Sequence, residues 1–163
     1  MIEAVIFDLD GTLVQVPIDY EALFEEFKRI MHVKEVHPLV DVVSRADGKA
    51  KELVFQAWDK AERVAAERII LNETGMGTYK EFAPNRKALV TLQGETVVGL
   101  ILKKFNLSFD FVVTREDSLF RVDQLTKAIS LLNANKGNVL FVGNTESDAN
   151  AAEKAGCQFR RVK

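Results

Sequence analysis

The chain has 163 residues, 47% hydrophobic and 28% charged, with a formal net charge of -2. This is the composition of an ordinary globule, long enough for one core and at most a small insert. It has no long basic run that would suit nucleic acid, no apolar stretch long enough to span a membrane, and a single cysteine, Cys157, so no internal disulfide. Met1 leads straight into an apolar run, which predicts a cytoplasmic protein without a signal peptide.

The first element is that run, Ala4-Val5-Ile6-Phe7, read as a buried strand. A helical texture then extends from about Ile18 to Leu71. In Ile18, Tyr20, Leu23, Phe24, Phe27, Ile30 and Met31 the apolar positions recur at three and four, and Asp19 stands where an N-cap is needed. A short helix is expected over Pro38 to Ala46. A long one follows over Ala50 to Leu71, its stripe formed by Leu53, Val54, Ala57, Trp58, Ala61, Val64, Ala65 and Ile69. Trp58 on that stripe reads as core. Asn72 to Thr78, with two glycines, reads as a connector.

From Arg86 onward strands and helices alternate. Strands are expected at Lys87–Thr91, Phe109–Val113, Val139–Val142 and Gln158–Val162, with helices at Glu95–Phe105, Asp123–Asn133 and Ser147–Ala155 between them. Continuous apolar strands separated by helices predict an α/β fold, a Rossmann-like parallel sheet with helices on both faces. Residues 15–78 would form a small helical cap inserted after the first strand; residues 1–14 and 79–163 would form the core.

Ligands of such sheets bind outside the carboxyl ends of the strands. Those ends carry Asp8 and Asp10, Thr91, and Gly143-Asn144-Thr145-Glu146-Ser147-Asp148, with Arg121 entering the helix after the third of them. Two carboxylates one residue apart, followed by a glycine turn, make a compact anionic site. Asp8 and the backbone carbonyl of Asp10 suit one divalent ion while the Asp10 side chain faces a substrate.

Asp8-Leu9-Asp10-Gly11-Thr12-Leu13 resembles the first signature of the haloacid dehalogenase superfamily. Val90-Thr91, the Arg121 segment and the stretch from Gly143 to Asp148 resemble its other three, in the right order. Within the superfamily the likeness is to the phosphatases, most of all the phosphoglycolate phosphatase-like branch, whose helical caps sit in this place. The resemblance implies a Mg²⁺-dependent phosphomonoester hydrolase acting on a small phosphorylated substrate through an aspartyl-phosphate. Asp8 would be the nucleophile and Asp10 the general acid/base. Thr91, the Leu92 amide and Arg121 would hold the phosphoryl group, and Asp8, Asp10, Asn144 and Asp148 the metal. A phosphomutase would use the same residues, and a dehalogenase has no need of the acid/base at Asp10.

Two positions depart from the family pattern. Arg121 stands where lysine is usual, and Asn144 where aspartate is usual, so phosphate meets a guanidinium fork and the metal loses one negative ligand. Lys127 is a second candidate for the missing lysine, and Glu146 a partial substitute for the missing charge. The departures suggest the alternative of a catalytically weakened member that binds a phosphorylated ligand or a protein. His32 and His37 are not spaced to share a zinc ion on one helix face.

Overall fold

The computed structural model describes the whole chain, Met1 to Lys163. Five parallel strands form its sheet: β1 (Ala4–Phe7), β4 (Arg86–Val90), β5 (Phe111–Val113), β6 (Val139–Gly143) and β7 (Gln158–Arg161), in the spatial order β5-β4-β1-β6-β7. A two-stranded antiparallel ribbon, β2 (Val14–Gln15) with β3 (Ile70–Leu71), stands apart from it. The α/β fold read from the sequence is the fold observed. No helix is long and apolar enough to cross a membrane.

β1 lies at the centre, paired from Ala4 to Phe7 with Arg86 to Leu89 on one side and with Val139 to Val142 on the other. Its side chains alternate between faces, as the pleat requires. Val5 and Phe7 join a core of 23 buried residues on one side; Ala4 and Ile6 join one of 12 on the other. The second core is covered by α6 (Arg121–Leu132) and α7 (Glu146–Ala155), through residues such as Leu125, Leu132 and Ala152.

The first core has two contributors beyond the sheet. α5 (Glu95–Phe105) supplies Val97, Val98 and Ile101. The inserted helices α1 (Tyr20–Met31), α2 (Leu39–Ser44) and α3 (Gly48–Ala65) supply Leu23, Phe27, Val43, Val54 and Trp58. Phe27 meets Trp58 edge-on with ring centroids 5.6 Å apart, which fixes α1 against α3. The insert therefore shares one continuous apolar core with the sheet. Trp58 is core, as expected, and it also reaches the wall of the cavity described below.

The stretch expected to be a connector is the start of a helix, α4 (Glu73–Glu81). The Asn72 side chain accepts from the amides of Thr74 and Gly75 and so caps it. Gly75 is needed for another reason. A Cβ there would lie 1.7 Å from the Thr12 carbonyl oxygen, so only glycine lets α4 approach the turn after β1. Tyr79 of this helix packs on Phe7 and Phe109, which places residues 73–78 with the α/β layer rather than with α1–α3. The long helix also ends early: after a 3₁₀ turn over Ala66–Arg68 the chain extends into β3.

Candidate active site

Asp8 follows β1, its amide donating to the Val142 carbonyl at 2.9 Å, so the strand register sets its place. The chain then turns sharply. The amides of Thr12, Leu13 and Val14 all converge on the Leu9 carbonyl, and Gly11 adopts φ +80°. A Cβ on Gly11 would stand 2.3 Å from Asn144 Nδ2, so glycine serves both the turn and the approach of Asn144 from β6. The Thr12 hydroxyl lies 3.2 Å from Asp8 Oδ2 and 3.3 Å from Asn144 Oδ1.

Asp148 is aimed by the start of α7. Thr145 caps that helix, accepting from the Asp148 amide at 3.0 Å, while Asp148 Oδ2 accepts from the amides of Asn144 and Thr145, each at 3.2 Å. This reciprocal box turns the carboxylate back toward the end of β6.

Arg121, the first residue of α6, joins the two carboxylates. Its Nη2 lies 3.0 Å from Asp8 Oδ1 and its Nε 3.3 Å from Asp148 Oδ1, while Nη1 donates to Gln124 Oε1 at 2.9 Å. Gln124 is itself held, donating to the carbonyls of Thr91 and Ser118. Of the five guanidinium hydrogens, two make hydrogen bonds, to Asp8 and Gln124, and the Nε contact with Asp148 is an ion pair only, so donors remain for a ligand.

The electrostatics follow from burial. Asp8 is pushed up to about 7, chiefly because burial disfavours its charge; Asp148 adds to this and Arg121 opposes it. Asp10 is also raised by burial, against hydrogen bonds from the Val16 amide at 2.8 Å and the Tyr20 hydroxyl at 3.5 Å. Tyr20 in turn is raised by burial and by the charges of Asp10 and Glu62.

These groups line a cavity of about 1040 Å³. Asp8, Asp10, Leu92, Arg121, Asn144 and Asp148 all reach it from the α/β layer. Tyr20, Leu39, Val40, Asp41 and Trp58 form the wall contributed by α1–α3. Leu92 brings an amide N–H that donates to no protein group.

The structure departs from the expected set at several points. Thr91 is fully buried and does not line the cavity; its hydroxyl lies 2.8 Å from Gln93 Oε1 and accepts the Gln93 amide, so it closes a turn instead of facing a phosphoryl group. Lys127 is bound to Asp117 and Glu146 to Arg161, both outside the cavity, so neither compensates for Arg121 or Asn144. His37 packs edge-on against Phe24. Sequence reasoning also missed Thr12, Gln124 and Tyr20. Thr12 stands within the first signature, and Gln124 lies one helical turn from Arg121; those positions were the only available signals.

Metal fit can be tested on the donors present. No three His, Cys, Asp or Glu side chains converge, because the Asp10 carboxylate turns away toward Val16 and Tyr20. Asp10 therefore enters a metal set only through its carbonyl oxygen, which accepts no hydrogen bond from the protein. With Asp8, Asp148 and the Asn144 amide oxygen this is an all-oxygen set on one side of the cavity, the donor chemistry that Mg²⁺ takes with retained waters.

Comparison with known proteins agrees with this frame. The family model described as haloacid dehalogenase-like hydrolase matches residues 84–162. Pyrophosphatase PpaX of Bacillus thuringiensis (strain Al Hakam) is 28% identical over 182 aligned positions, which cover 99% of this chain and 83% of that protein. Among solved structures, a haloacid dehalogenase-like family hydrolase from Streptococcus pneumoniae superposes with a TM-score of 0.72 at 18% identity, covering 99% of this chain and 85% of that one. The L-2-haloacid dehalogenase of Xanthobacter autotrophicus does so with a TM-score of 0.69 at 19% identity, covering 99% and 78%. At such identities these two likenesses establish the fold alone. The sequence matches point the same way: the family model covers a little under half of the chain, and the chain is similar to haloacid dehalogenase-like hydrolases along its length.

Proposed function

We propose that the chain hydrolyses a small phosphomonoester or phosphoanhydride through a covalent phosphoaspartate on Asp8. The observation that carries this reading is Arg121, which draws together Asp8 and Asp148, and does so on the cavity wall with donors to spare. A carboxylate held beside a phosphate-binding fork suits attack at phosphorus. The curated relatives' name, pyrophosphatase, puts diphosphate among the substrates to try.

In the first step an Asp8 oxygen forms a bond to phosphorus while the bond to the leaving oxygen breaks. Asp10, inclined by burial to keep its proton, gives it to that oxygen. In the second step water attacks phosphorus, Asp10 takes the water proton back, and the Asp8–phosphorus bond breaks to release inorganic phosphate. Arg121 and the Leu92 amide hold the non-bridging oxygens. Asp8, the Asp10 carbonyl, Asn144 and Asp148 would hold Mg²⁺, which when bound neutralises charge on the phosphoryl oxygens and on the carboxylates around them. The α1–α3 unit is the cap that closes the far wall and selects the substrate.

Hydrolysis of para-nitrophenyl phosphate, with Mg²⁺ and with EDTA, tests the reading, alongside Asp8→Asn. The native protein should turn over only with Mg²⁺, and the variant should be folded and inactive. Full activity in Asp8→Asn removes the covalent mechanism.

A further inference from the structure

Arg115 follows β5 and is 1% exposed, the largest buried charged side chain in the molecule. Two acids of α3 face it. Glu62, 0% exposed, lies 2.9 Å from Nη1 and 2.8 Å from Nη2, and Asp59, one turn earlier, pairs with Nη2. Nη1 also donates to the Leu92 carbonyl at 3.1 Å, and both Glu62 oxygens lie 3.2 Å from the Gly94 amide nitrogen. The guanidinium lies over Trp58 with its carbon 4.6 Å from the ring centroid. One cation thus ties an inserted helix to two loops of the α/β layer.

Stability is a poor explanation for such a cluster. Desolvating three charges offsets most of their attraction, and apolar residues of similar size often serve as well. What the ions supply is direction. Arg115 fixes the carbonyl of Leu92 and Glu62 fixes the amide of Gly94, so the short segment between them has both ends pinned. Leu92 and Gln93 of that segment both line the cavity.

We propose that Arg115, Glu62 and Asp59 form a latch that seats α3 on the core and aims the Leu92 amide at the phosphoryl site. Arg115 is on this account a positioning residue; the proposal rests on the phosphatase reading for the word phosphoryl, and on geometry alone for the latch.

The test uses Asp59→Ala, which spares the fully buried Arg115–Glu62 pair, and Arg115→Lys, whose point charge cannot span the same acceptors. Three quantities are measured well below the unfolding temperature: hydrogen exchange at Leu92, Gln93 and Gly94, inhibition by inorganic phosphate, and the KM and kcat for an aryl phosphate. Exchange at the bonded amides of Gln93 and Gly94 should quicken and phosphate inhibition weaken by roughly tenfold in Arg115→Lys, the scale of one charged hydrogen bond, and less in Asp59→Ala. KM should rise with the inhibition constant while kcat changes little. Unchanged exchange at residues 92–94 overturns the latch. Faster exchange with unchanged phosphate inhibition overturns the positioning role, since a merely structural cluster would lower stability alone. A native protein that binds no phosphate sinks the phosphatase reading, and exchange at 92–94 still decides whether the latch holds the loop.

Discussion

Replacing Arg121 by alanine removes the one cation in contact with Asp8 and Asp148, which are 5% and 4% exposed. Leaving a buried charge without its partner costs about 3–5 kcal/mol. Arg121 itself is 18% exposed and the cavity admits water, so the lower end, about 3 kcal/mol at pH 8 in EDTA, is the expected loss. For a chain of this length that lowers the unfolding temperature by roughly 6–12 °C. The loss should depend on pH in a defined sense. Asp8 holds its proton up to about 7 in the native fold, against 3.8 in the unfolded chain, so its own contribution declines as pH rises through that window. Below about pH 7 Asp8 is neutral in the native fold, and without Arg121 it is more readily so, so Arg121 has less charge to offset. At pH 5 the difference should shrink to about 1 kcal/mol, the worth of an ordinary hydrogen bond. Urea unfolding of both proteins at pH 5 and pH 8, with matched slopes, reads these values. An equal loss at the two pH values, or none at pH 8, refutes the reasoning. Arg121→Lys, able to reach one carboxylate but not both, should recover part of the stability and part of phosphate binding.

Asn144→Asp should tighten Mg²⁺ by an order of magnitude or so, about 1.4 kcal/mol, because it sets a third carboxylate beside Asp8 and Asp148; in EDTA the same crowding should lower stability. Calorimetry with Mg²⁺ reads the first effect, and unchanged affinity would show that position 144 does not face the ion. Asp10→Asn should cost far more with alkyl phosphates than with aryl phosphates, whose leaving oxygens need less protonation; equal losses would take the acid role from Asp10. Gly75→Ala would drive a methyl group into the Thr12 carbonyl and should destabilise the fold by about 2 kcal/mol or more. A thermal melt indistinguishable from native would contradict the close approach of α4.

The centre of the sheet was legible because β1 and β6 are continuous apolar runs buried on both faces and β4 ends in one, and those strand ends then fixed where Asp8, Arg121, Asn144 and Asp148 would gather. What eluded reading depended on contacts between distant residues. Gly75 and Gly77 read as breakers, yet the Asn72 cap and the fit against Thr12 outweigh their poor propensity. The β2–β3 ribbon is two residues long on each side, too short for any periodicity. Thr91 shows another limit: a strand end locates a backbone, whereas the rotamer was decided by Gln93. The Arg115 cluster left one trace. Val54, Trp58, Glu62 and Ala65 are the buried positions of α3, so an acid sits in register with its apolar stripe, while Val64, read as part of that stripe, is 67% exposed.

The strand that leads into Asp8 comes long before either of its neighbours in the chain. β1 emerges at residues 4–7, but its neighbours are encoded at 86–90 and 139–143. Closing those loops costs entropy before any pairing is gained, so this topology folds slowly compared with one built from local contacts. During synthesis this apolar tetrapeptide has both edges open until residues 86–90 are made, and one edge open until residues 139–143 are, a hazard for association with other nascent chains. A fragment ending before Val139 leaves β1 unpaired along one whole side, and Asp8 loses the Val142 carbonyl that sets its position. No amino-terminal piece of this protein should retain a weakened version of the site; competence arrives with the sixth strand or not at all.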